Sequence, residues 1–452
     1  MLGLLLISPG FEYTIERSDR PTYVGVGLMM IAGCAYLALL WALSKGIRQS
    51  HLMIAMILFG VALRLMWVAS TPIYEDDFYR YFFDGAMTIS GLNPYLHAPV
   101  DILPGILPTD IDQALRQQNL DNIPSHSHDA LTAIAQSGQV ERVAYPYIRT
   151  IYPPLAQAVF ALHHMVAPWS LEGWRLLLFF VDCLSLFLLF KLVQISGKSN
   201  WLVMVFWLNP LVITETMNAG HMDALLLPFL IGAALLVLAK KHAWAGIALA
   251  GAVGIKLWPI ILAPIVFRVL LTKPFKLLLA VIPFALLVVL LLMPQVLARL
   301  DTTSGLAAYA EGWQVNTFLF AKFEQMLALV VDGSNLLARI NVFGLIILLV
   351  LWRAVKQGDQ ATVPMNIFII TAVLFLLSPT GYPWYLIWII PWLVLYPSPA
   401  LLLLTVSLPL YDLRYVLSDA VFNNFIVPIE FGPSLVWLAI DGLRRRRRGQ
   451  GS

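Results

Sequence analysis

Charged residues are scarce in this sequence. Only 12% of its 452 residues are charged, about half the share of a soluble globular chain, whereas 60% are hydrophobic. This composition excludes an ordinary soluble multidomain protein. Two cysteines, Cys34 and Cys183, both in apolar segments, argue against a disulfide framework. Heptads and clear internal repeats are lacking, and apolar Met1–Ile7 lacks the basic flank of a cleaved signal.

Long apolar runs take the place of the missing charge. Several of them approach the roughly 20 residues that cross a bilayer as a helix. We therefore expect an all-α polytopic membrane protein, with residues 1–452 forming a single transmembrane domain. The sequence predicts about thirteen spans, at 21–44, 51–70, 172–194, 200–217, 222–239, 243–255, 257–271, 276–296, 337–355, 363–378, 384–396, 399–411 and 423–441.

The distribution of lysine and arginine predicts the orientation of these spans. On this assignment one face receives sixteen of the 29 basic residues, on short loops and in the run Arg444–Arg448. Basic residues concentrate on cytoplasmic loops, so this face is predicted to be cytoplasmic, with residues 444–452 as a basic cytoplasmic tail. An arginine run directly after a span favours the anionic lipid surface over nucleic acid as its partner.

The opposite, extracytoplasmic face carries a large first loop at residues 71–171. Its ends are rich in Trp, Tyr and Pro, which predicts packed structure, whereas its middle, about 110–139, is polar enough to be mobile. The apolar stretch 153–168 is too short to span and is predicted to be a helix in the membrane interface. Loops of this length inside compact proteins are often functional.

An acidic motif begins this loop. Glu75, Asp76 and Asp77 precede Arg80-Tyr81 and then Asp84-Gly85. If a helix begins near Asp76, then Asp77, Arg80 or Tyr81, and Asp84 share one face. One acid is enough to cap a helix, so three acids with an arginine favour a functional site, with Asp77 first and Asp76 second.

Further polar motifs are predicted at the same outer membrane boundary. Lys256 lies between Gly254 and Pro259, where a helix should break. His221 and Asp223 offer two ligands for a metal, or a hydrogen-bonded pair that stabilises a short turn. The remaining motif residues are Arg149, Tyr152, Tyr382, Trp384 and Tyr385.

Two charges fall inside predicted spans, Arg64 in the second and Asp182 in the third. Each costs roughly 2.5–3.5 kcal/mol at mid-bilayer on insertion scales, so both should face the protein interior. Mutual pairing is the simplest explanation, and we favour it over a proton relay.

Together these motifs resemble the GT-C superfamily, and more narrowly the bacterial polyprenol-phosphate-mannose-dependent mannosyltransferases. The resemblance covers about residues 50–400 and depends on the order of the motifs, since none is specific alone. Its motifs are Asp77-x-Tyr79-Arg80-Tyr81-x-x-Asp84-Gly85, Asn93-Pro94-Tyr95, Tyr152-Pro153-Pro154-Leu155, Gly220-His221-Met222-Asp223, Lys256 with Pro259, and Pro383-Trp384-Tyr385.

The resemblance implies a GT-C-like bundle whose first outer loop carries interfacial helices and the catalytic base. By that likeness Asp77 takes the base position, and Arg80 and Lys256 bind the donor phosphate. Arg149 is a third candidate for binding that phosphate. It implies an inverting glycosyltransferase of the bacterial inner membrane with an extracytoplasmic site. The donor would be a polyprenyl-phosphate sugar, with mannose favoured, and the acceptor a glycolipid or glycan. Supporting roles would fall to Glu75, Tyr81, Asp84, Tyr152, His221, Asp223, Tyr382, Trp384 and Tyr385.

Two departures from the family pattern stand out. Relatives such as the aminoarabinose transferases carry a basic residue directly before the proline of the interfacial helix, where this chain has Ile151-Tyr152. Many relatives also end in a soluble outer domain, whereas this chain ends in an arginine run. Acceptor recognition is therefore expected from loops and the membrane.

Other interpretations of the sequence stay open. A lipid-linked sugar flippase or transporter suits thirteen spans equally well, although such proteins place their charged sites near the midplane. A glycan-polymer ligase or polymerase is generally built around basic residues on a late outer loop. The sequence predicts no certain cofactor and leaves open a divalent metal ion. Its expected partners are the sugar donor, the acceptor and the bilayer, and not nucleic acid.

Overall fold

A computed structural model of the chain describes residues 1–46, 50–103, 128–298 and 304–449. The segment 110–139, predicted to be mobile, lies largely outside these described residues. The described chain is helical, and its single recorded β-bridge joins Val315 to Thr380. The prediction of a helical protein with several helices able to cross a membrane is confirmed.

Six of the described helices are long and apolar enough to cross a membrane, or seven if the pair Pro210–Asn218 and Met222–Leu238 forms one bent span. The other predicted spans are short or interrupted helices, because Pro and Gly break them. Residues 257–271, for example, form Trp258–Leu262 and Ala263–Arg268. The number thirteen therefore stays a prediction. The six are Thr22–Ser44, Leu171–Ile195, Pro274–Val296, Ser334–Lys356, Gln360–Leu377 and Asp419–Arg444.

The chain divides into two compact units, each assembled from separate stretches. Unit 1 contains Met1–Tyr74, Asp182–Asn218 and Gln314–Ser452, and unit 2 contains Glu75–Val181 and Ala219–Trp313. A single domain over 1–452 stays a prediction. The predicted first loop begins in unit 1 at Thr71 and belongs to unit 2 from Glu75 onward.

Unit 1 holds four of the longer apolar helices and the second half of a fifth, together with many short helical turns. Its described helices are Leu2–Ile7, Thr22–Ser44, Ser50–Leu65, the second half of Leu171–Ile195, Met204–Trp207, Pro210–Ile213, Leu319–Leu327, Ser334–Lys356, Val363–Leu377, Ile390–Leu393, Pro399–Ser407, Asp419–Val421 and Val427–Gly449. Shorter turns lie at Ser8–Phe11, Arg17–Asp19, Asn200–Val203, Thr214–Asn218, Gln360–Thr362, Pro383–Trp388, Leu408–Tyr415 and Phe422–Ile426.

Unit 2 contains most of the large first loop and a set of apolar helices. Within it, His242–Ile255 packs on Leu227–Leu238 and on Pro274–Val296, and Asp77–Ile89 packs on Pro154–Val166. The predicted helix at 153–168 is confirmed as Pro154–Val166. The remaining elements are Pro99–Ile102, His128–Ala135, Val140–Arg142, the first half of Leu171–Ile195, Met222–Leu226, Trp258–Leu262, Ala263–Arg268 and Gly305–Glu311.

A fully buried ion pair organises the interior of unit 1. Arg64 Nε lies 2.9 Å from Asp182 Oδ2, and neither side chain is exposed. Arg64 also donates to the Trp207 carbonyl at 2.8 Å and lies 3.6 Å from the centre of the Trp207 ring. Thr216 Oγ1 donates to the same Asp182 oxygen at 3.3 Å. The predicted pairing of the two intramembrane charges is confirmed.

Breaking this pair should destabilise the protein strongly. Asp182→Ala leaves the Arg64 charge buried without its carboxylate, which typically costs about 3–5 kcal/mol. The double variant Arg64→Met with Asp182→Leu removes both charges and should recover most of that loss. Thermal unfolding of the purified protein in detergent measures both effects, and wild-type stability of Asp182→Ala would contradict the assignment.

Candidate functional site

Glu75 organises the start of the helix Asp77–Ile89, which we call the acidic helix. The Glu75 Oε1 atom accepts hydrogen bonds from the backbone N–H groups of Asp76 at 3.2 Å and Asp77 at 3.1 Å. Asp76 occupies the N-cap position, yet its side chain makes no capping hydrogen bond. The capping role that the acidic motif suggested therefore falls to Glu75, and the helix begins as predicted.

His221 is held in a fixed position between two of these acids. Trp174, itself fully buried, donates from Nε1 to the Gly220 carbonyl at 2.6 Å, and Gly220 has a φ of +72° that favours glycine. The fully buried His221 ring then lies with Nε2 3.2 Å from Glu75 Oε2 and Nδ1 4.0 Å from Asp77 Oδ2. We call Glu75, Asp77 and His221 the acid–histidine cluster.

Lys256 belongs to unit 2 and lies at the predicted helix break. The helix His242–Ile255 ends there, and the Lys256 backbone is extended. Its Nζ lies 2.6 Å from Asp223 Oδ1, and both side chains are largely buried. The negative charge of Asp77 also acts favourably on Lys256. A cation and the acid–histidine cluster therefore lie within electrostatic reach of each other.

Burial and neighbouring charge raise the pKa of Asp77 above the usual carboxyl range. Burial is the largest cause, the Glu75 charge adds to it, and the His221 charge opposes it. About 32% of the Asp77 side chain stays exposed, against 10% for Glu75. Asp77 is therefore the more accessible carboxyl of the cluster, and its proton affinity is high for an acid.

The acid–histidine cluster has the donor set of a divalent metal site. One ligand atom from each of Glu75, Asp77 and His221 can be chosen so that all lie within 4.8 Å of one another. Two carboxylates and an imidazole suit a divalent cation such as Zn²⁺ or Mn²⁺. A charged imidazole between two carboxylates fits the same arrangement. The sequence named His221 for a metal but paired it with Asp223, which instead contacts Lys256.

Arg80 ties the acidic helix to the segment 144–152. Its Nη2 donates to the carbonyls of Tyr145 at 3.0 Å and Ala144 at 3.4 Å. Its Nη1 is buried and has no recorded hydrogen-bond partner among the described residues. Arg80 interacts favourably with the negative charge of Asp77. The Nη2 group of Arg80 therefore has a structural role, whereas its Nη1 group can still donate a hydrogen bond.

Asp84 lies one turn after Arg80 and is fully buried. Its Oδ2 accepts from Gln157 Nε2 at 3.0 Å, and the same amide group donates to Thr150 Oγ1 at 2.9 Å. Burial raises the pKa of Asp84 to about 6, against the opposing effects of the Arg80 charge and the Gln157 hydrogen bond. Asp84 therefore anchors the acidic helix and is not accessible to a substrate.

Tyr81 and Tyr152 belong to a buried aromatic layer. Tyr81 stacks on Phe160 with ring centres 4.8 Å apart and meets Tyr152 edge-on at 5.3 Å. Burial raises the pKa of both phenols well above the usual range. The Tyr152 carbonyl accepts from the Tyr95 hydroxyl at 2.6 Å. Both tyrosines therefore stay neutral and support the site by packing.

Arg149 is also buried, with 4% of its surface exposed. Its charge adds to burial in lowering the pKa of His97. The Arg149 carbonyl lies against Gly305, where an added Cβ would come within 2.3 Å of the oxygen. These observations show a structural role, and binding of a phosphate by Arg149 stays a prediction.

Tyr382, Trp384 and Tyr385 belong to unit 1. The Tyr382 and Trp384 rings stack with centres 4.2 Å apart, and Tyr385 meets Tyr382 edge-on at 5.5 Å. All three are buried. Their assignment as supporting residues of the site stays a prediction.

Sequence reasoning missed two residues that hold this site together. Trp174 fixes the turn before His221, and Gln157 links Asp84 to Thr150. Gly85 belongs to the predicted acidic motif, but its role in permitting a close helix approach was not predicted. The signal for that role was visible, since a glycine inside a helix usually has a packing reason.

The comparisons with known proteins found no match. No family model matches the chain, and no curated protein or solved structure matches it. A functional assignment for this chain therefore depends on the geometry of its described residues.

The contact at Gly85 gives a direct test of how the acidic helix is positioned. A Cβ there would lie 2.4 Å from the Phe160 carbonyl oxygen, a backbone atom that cannot move aside cheaply. Gly85→Ala should destabilise the protein by about 1–3 kcal/mol. Thermal unfolding in detergent measures the change.

A matched control is Gly344→Ala, also inside a helix but with no atom within 4 Å of the new Cβ. This variant should unfold at or slightly above the wild-type temperature, because alanine favours helix more than glycine does. Equal stability of the two variants would show that the Gly85 contact does not position the helix.

Proposed function

We propose that the protein is an inverting glycosyltransferase that moves a sugar from a polyprenyl-phosphate donor to an acceptor hydroxyl. The observation that carries this proposal is the assembly of an accessible carboxyl, a buried imidazole and two cationic side chains within unit 2. Asp77 and Arg80 lie in the acidic helix, whereas His221 and Lys256 come from two other parts of the chain. The proposed reaction needs both charge types together.

Asp77 is proposed as the general base. It is the more exposed acid of the cluster, and its raised pKa increases its affinity for a proton from the acceptor hydroxyl. Glu75 and His221 would orient it, since Glu75 is engaged at the helix start and His221 is fully buried. Asp76, the second candidate from the sequence, occupies the N-cap position of the acidic helix.

Lys256 and Arg80 are proposed to stabilise the leaving phosphate. Lys256 Nζ is a cation with three N–H donors that contacts Asp223, and Arg80 Nη1 has no recorded partner among the described residues. Charge-assisted hydrogen bonds from ammonium and guanidinium groups suit phosphate oxygens. Such groups act most strongly where negative charge develops in the transition state.

The proposed step is a single displacement. The acceptor oxygen attacks C1 of the sugar from the face opposite the phosphate while its proton passes to Asp77. The C1–O bond to phosphate breaks, and its electron pair leaves with polyprenyl phosphate. The anomeric configuration inverts, and no glycosyl-enzyme intermediate forms. A divalent cation at the acid–histidine cluster would add positive charge when bound.

The wider assignment follows the resemblance of the motifs. We propose a GT-C-like bundle of about thirteen spans in the bacterial inner membrane, with the site on the extracytoplasmic side. Mannose is the favoured sugar and a membrane glycolipid or glycan the favoured acceptor. The contacts of Glu75 and Asp77 with His221 support this proposal, because they bring together two of the motifs that carry the resemblance.

Asp77→Asn tests the base assignment. The amide keeps the size of the side chain but does not accept the proton, so transfer should fall about 10²–10⁴-fold. Asp76→Asn, one residue away at the N-cap, is the matched control and should keep most of the activity. The assay follows transfer from synthetic polyprenyl-phosphate mannose to crude membrane glycolipids. A larger loss in Asp76→Asn than in Asp77→Asn would contradict the assignment.

A double variant separates the structural and chemical roles of Lys256. Lys256→Met alone removes the cation that contacts the buried Asp223, which should cost about 3–5 kcal/mol of stability. Lys256→Met with Asp223→Leu should restore stability but not transfer. Unfolding temperature and transfer rate are measured on both proteins. A double variant with wild-type transfer would show that Lys256 does not act on the donor.

A further inference from the structure

Three arginines of unit 1 gather around one pair of stacked tyrosines. Tyr74 and Tyr415 stack with ring centres 4.3 Å apart and planes 14° apart. Arg20 lies 5.4 Å from the centre of the Tyr74 ring. Arg17 and Arg414 lie 5.4 Å and 5.7 Å from the centre of the Tyr415 ring. We call these five residues the arginine–tyrosine cluster.

The three guanidinium groups keep most of their donors. Arg20 donates from Nε to the Ile15 carbonyl at 3.0 Å, and Arg414 donates from Nη1 to the Tyr411 hydroxyl at 2.7 Å. In the part of the chain that the structure describes, none of the three forms an ion pair with a carboxylate. Arg17 is exposed, and the other two are half-buried.

Two acidic residues lie near the cluster. Asp19 accepts a hydrogen bond from Ser18 Oγ at 3.4 Å, and the Asp412 charge acts on Tyr74. Like charges held together are unfavourable, and the stacking of guanidinium groups on exposed rings offsets only part of that cost. An anion shared by the arginines would offset more.

The position of the cluster along the helices indicates the membrane surface. Arg17 and Arg20 directly precede the candidate span Thr22–Ser44, and Arg414 directly precedes the candidate span Asp419–Arg444. Because Arg17 and Arg414 contact the same ring, these two span starts lie on the same side of unit 1. That side is opposite to the helix ends that carry Lys45 and Arg444.

This location is unexpected for arginine. Basic residues concentrate on the cytoplasmic side of membrane proteins, which on the charge distribution is the side of Lys45 and Arg444. The charge distribution therefore does not explain why three arginines with free N–H donors lie on the extracytoplasmic side. Guanidinium groups stacked on aromatic rings, with free N–H edges, are well suited to bidentate recognition of phosphate.

We propose that the arginine–tyrosine cluster binds the phosphate of an anionic lipid headgroup at the extracytoplasmic surface. The phosphate oxygens accept from Arg17, Arg20 and Arg414, while the stacked tyrosines hold the guanidinium groups in place. The acyl chains lie along the apolar surfaces of the adjacent spans. This site belongs to unit 1 and does not depend on the proposed glycosyl transfer.

The test measures lipid retained by the purified full-length protein. Native mass spectrometry compares binding of phosphatidylglycerol and phosphatidylcholine to wild type and to the triple variant Arg17→Gln, Arg20→Gln and Arg414→Gln. Wild type should prefer phosphatidylglycerol, and the triple variant should bind it at least tenfold more weakly, because it loses the charge-assisted hydrogen bonds of three guanidinium groups. Arg17→Gln alone changes an exposed side chain and should give a smaller loss in the same direction without affecting folding.

The matched control is Arg339→Gln. Arg339 also lies over an aromatic ring, 5.7 Å from the centre of Phe320, but donates to Asn335 Oδ1 at 2.7 Å. It should leave lipid binding unchanged. Inorganic phosphate at millimolar concentration should not displace the lipid. Displacement by free phosphate would show a soluble phosphate ligand and overturn the lipid assignment, as would equal phosphatidylglycerol binding by wild type and both cluster variants.

Discussion

A charge buried among apolar helices is stable only beside a compensating charge or donor, and this constraint orders both units of the protein. In unit 1 it places Arg64 against Asp182, and Trp207 and Thr216 add further hydrogen bonds to the pair. In unit 2 it places Lys256 against Asp223. Each pair comes from distant parts of the sequence, so satisfying the charges also fixes which segments of the chain meet.

Charge compensation is incomplete at the acid–histidine cluster. His221 faces two carboxyls, and the pKa of Asp77 is raised because burial and Glu75 oppose its ionisation. Titratable groups with perturbed pKa values collect at functional sites more often than elsewhere. The buried pairs stabilise the fold around the cluster, whereas the accessible Asp77 carboxyl is suited to exchange a proton with a substrate.

Sequence patterns predicted the parts of this structure that depend on local signals. The start of the acidic helix, the helix break at Lys256 and the pairing of Arg64 with Asp182 followed from spacing, helix-breaking residues and the cost of charge in a membrane. The contacts of His221 with Glu75 and of Gln157 with Asp84 did not, because they join segments far apart in the chain. Apolar length alone also did not reveal which predicted spans are short or broken helices, since it is insensitive to breaks in a helix.

The most direct test of the central claim is the fate of a polyprenyl-phosphate sugar given to the purified wild-type protein with membrane glycolipid acceptor. Mass spectrometry of the lipid fraction distinguishes intact donor from free polyprenyl phosphate. A glycosyltransferase releases polyprenyl phosphate and forms a glycolipid larger by one sugar. If the protein instead moves the donor across vesicle membranes and leaves it chemically unchanged, the proposed chemistry is wrong and the protein is a lipid transporter.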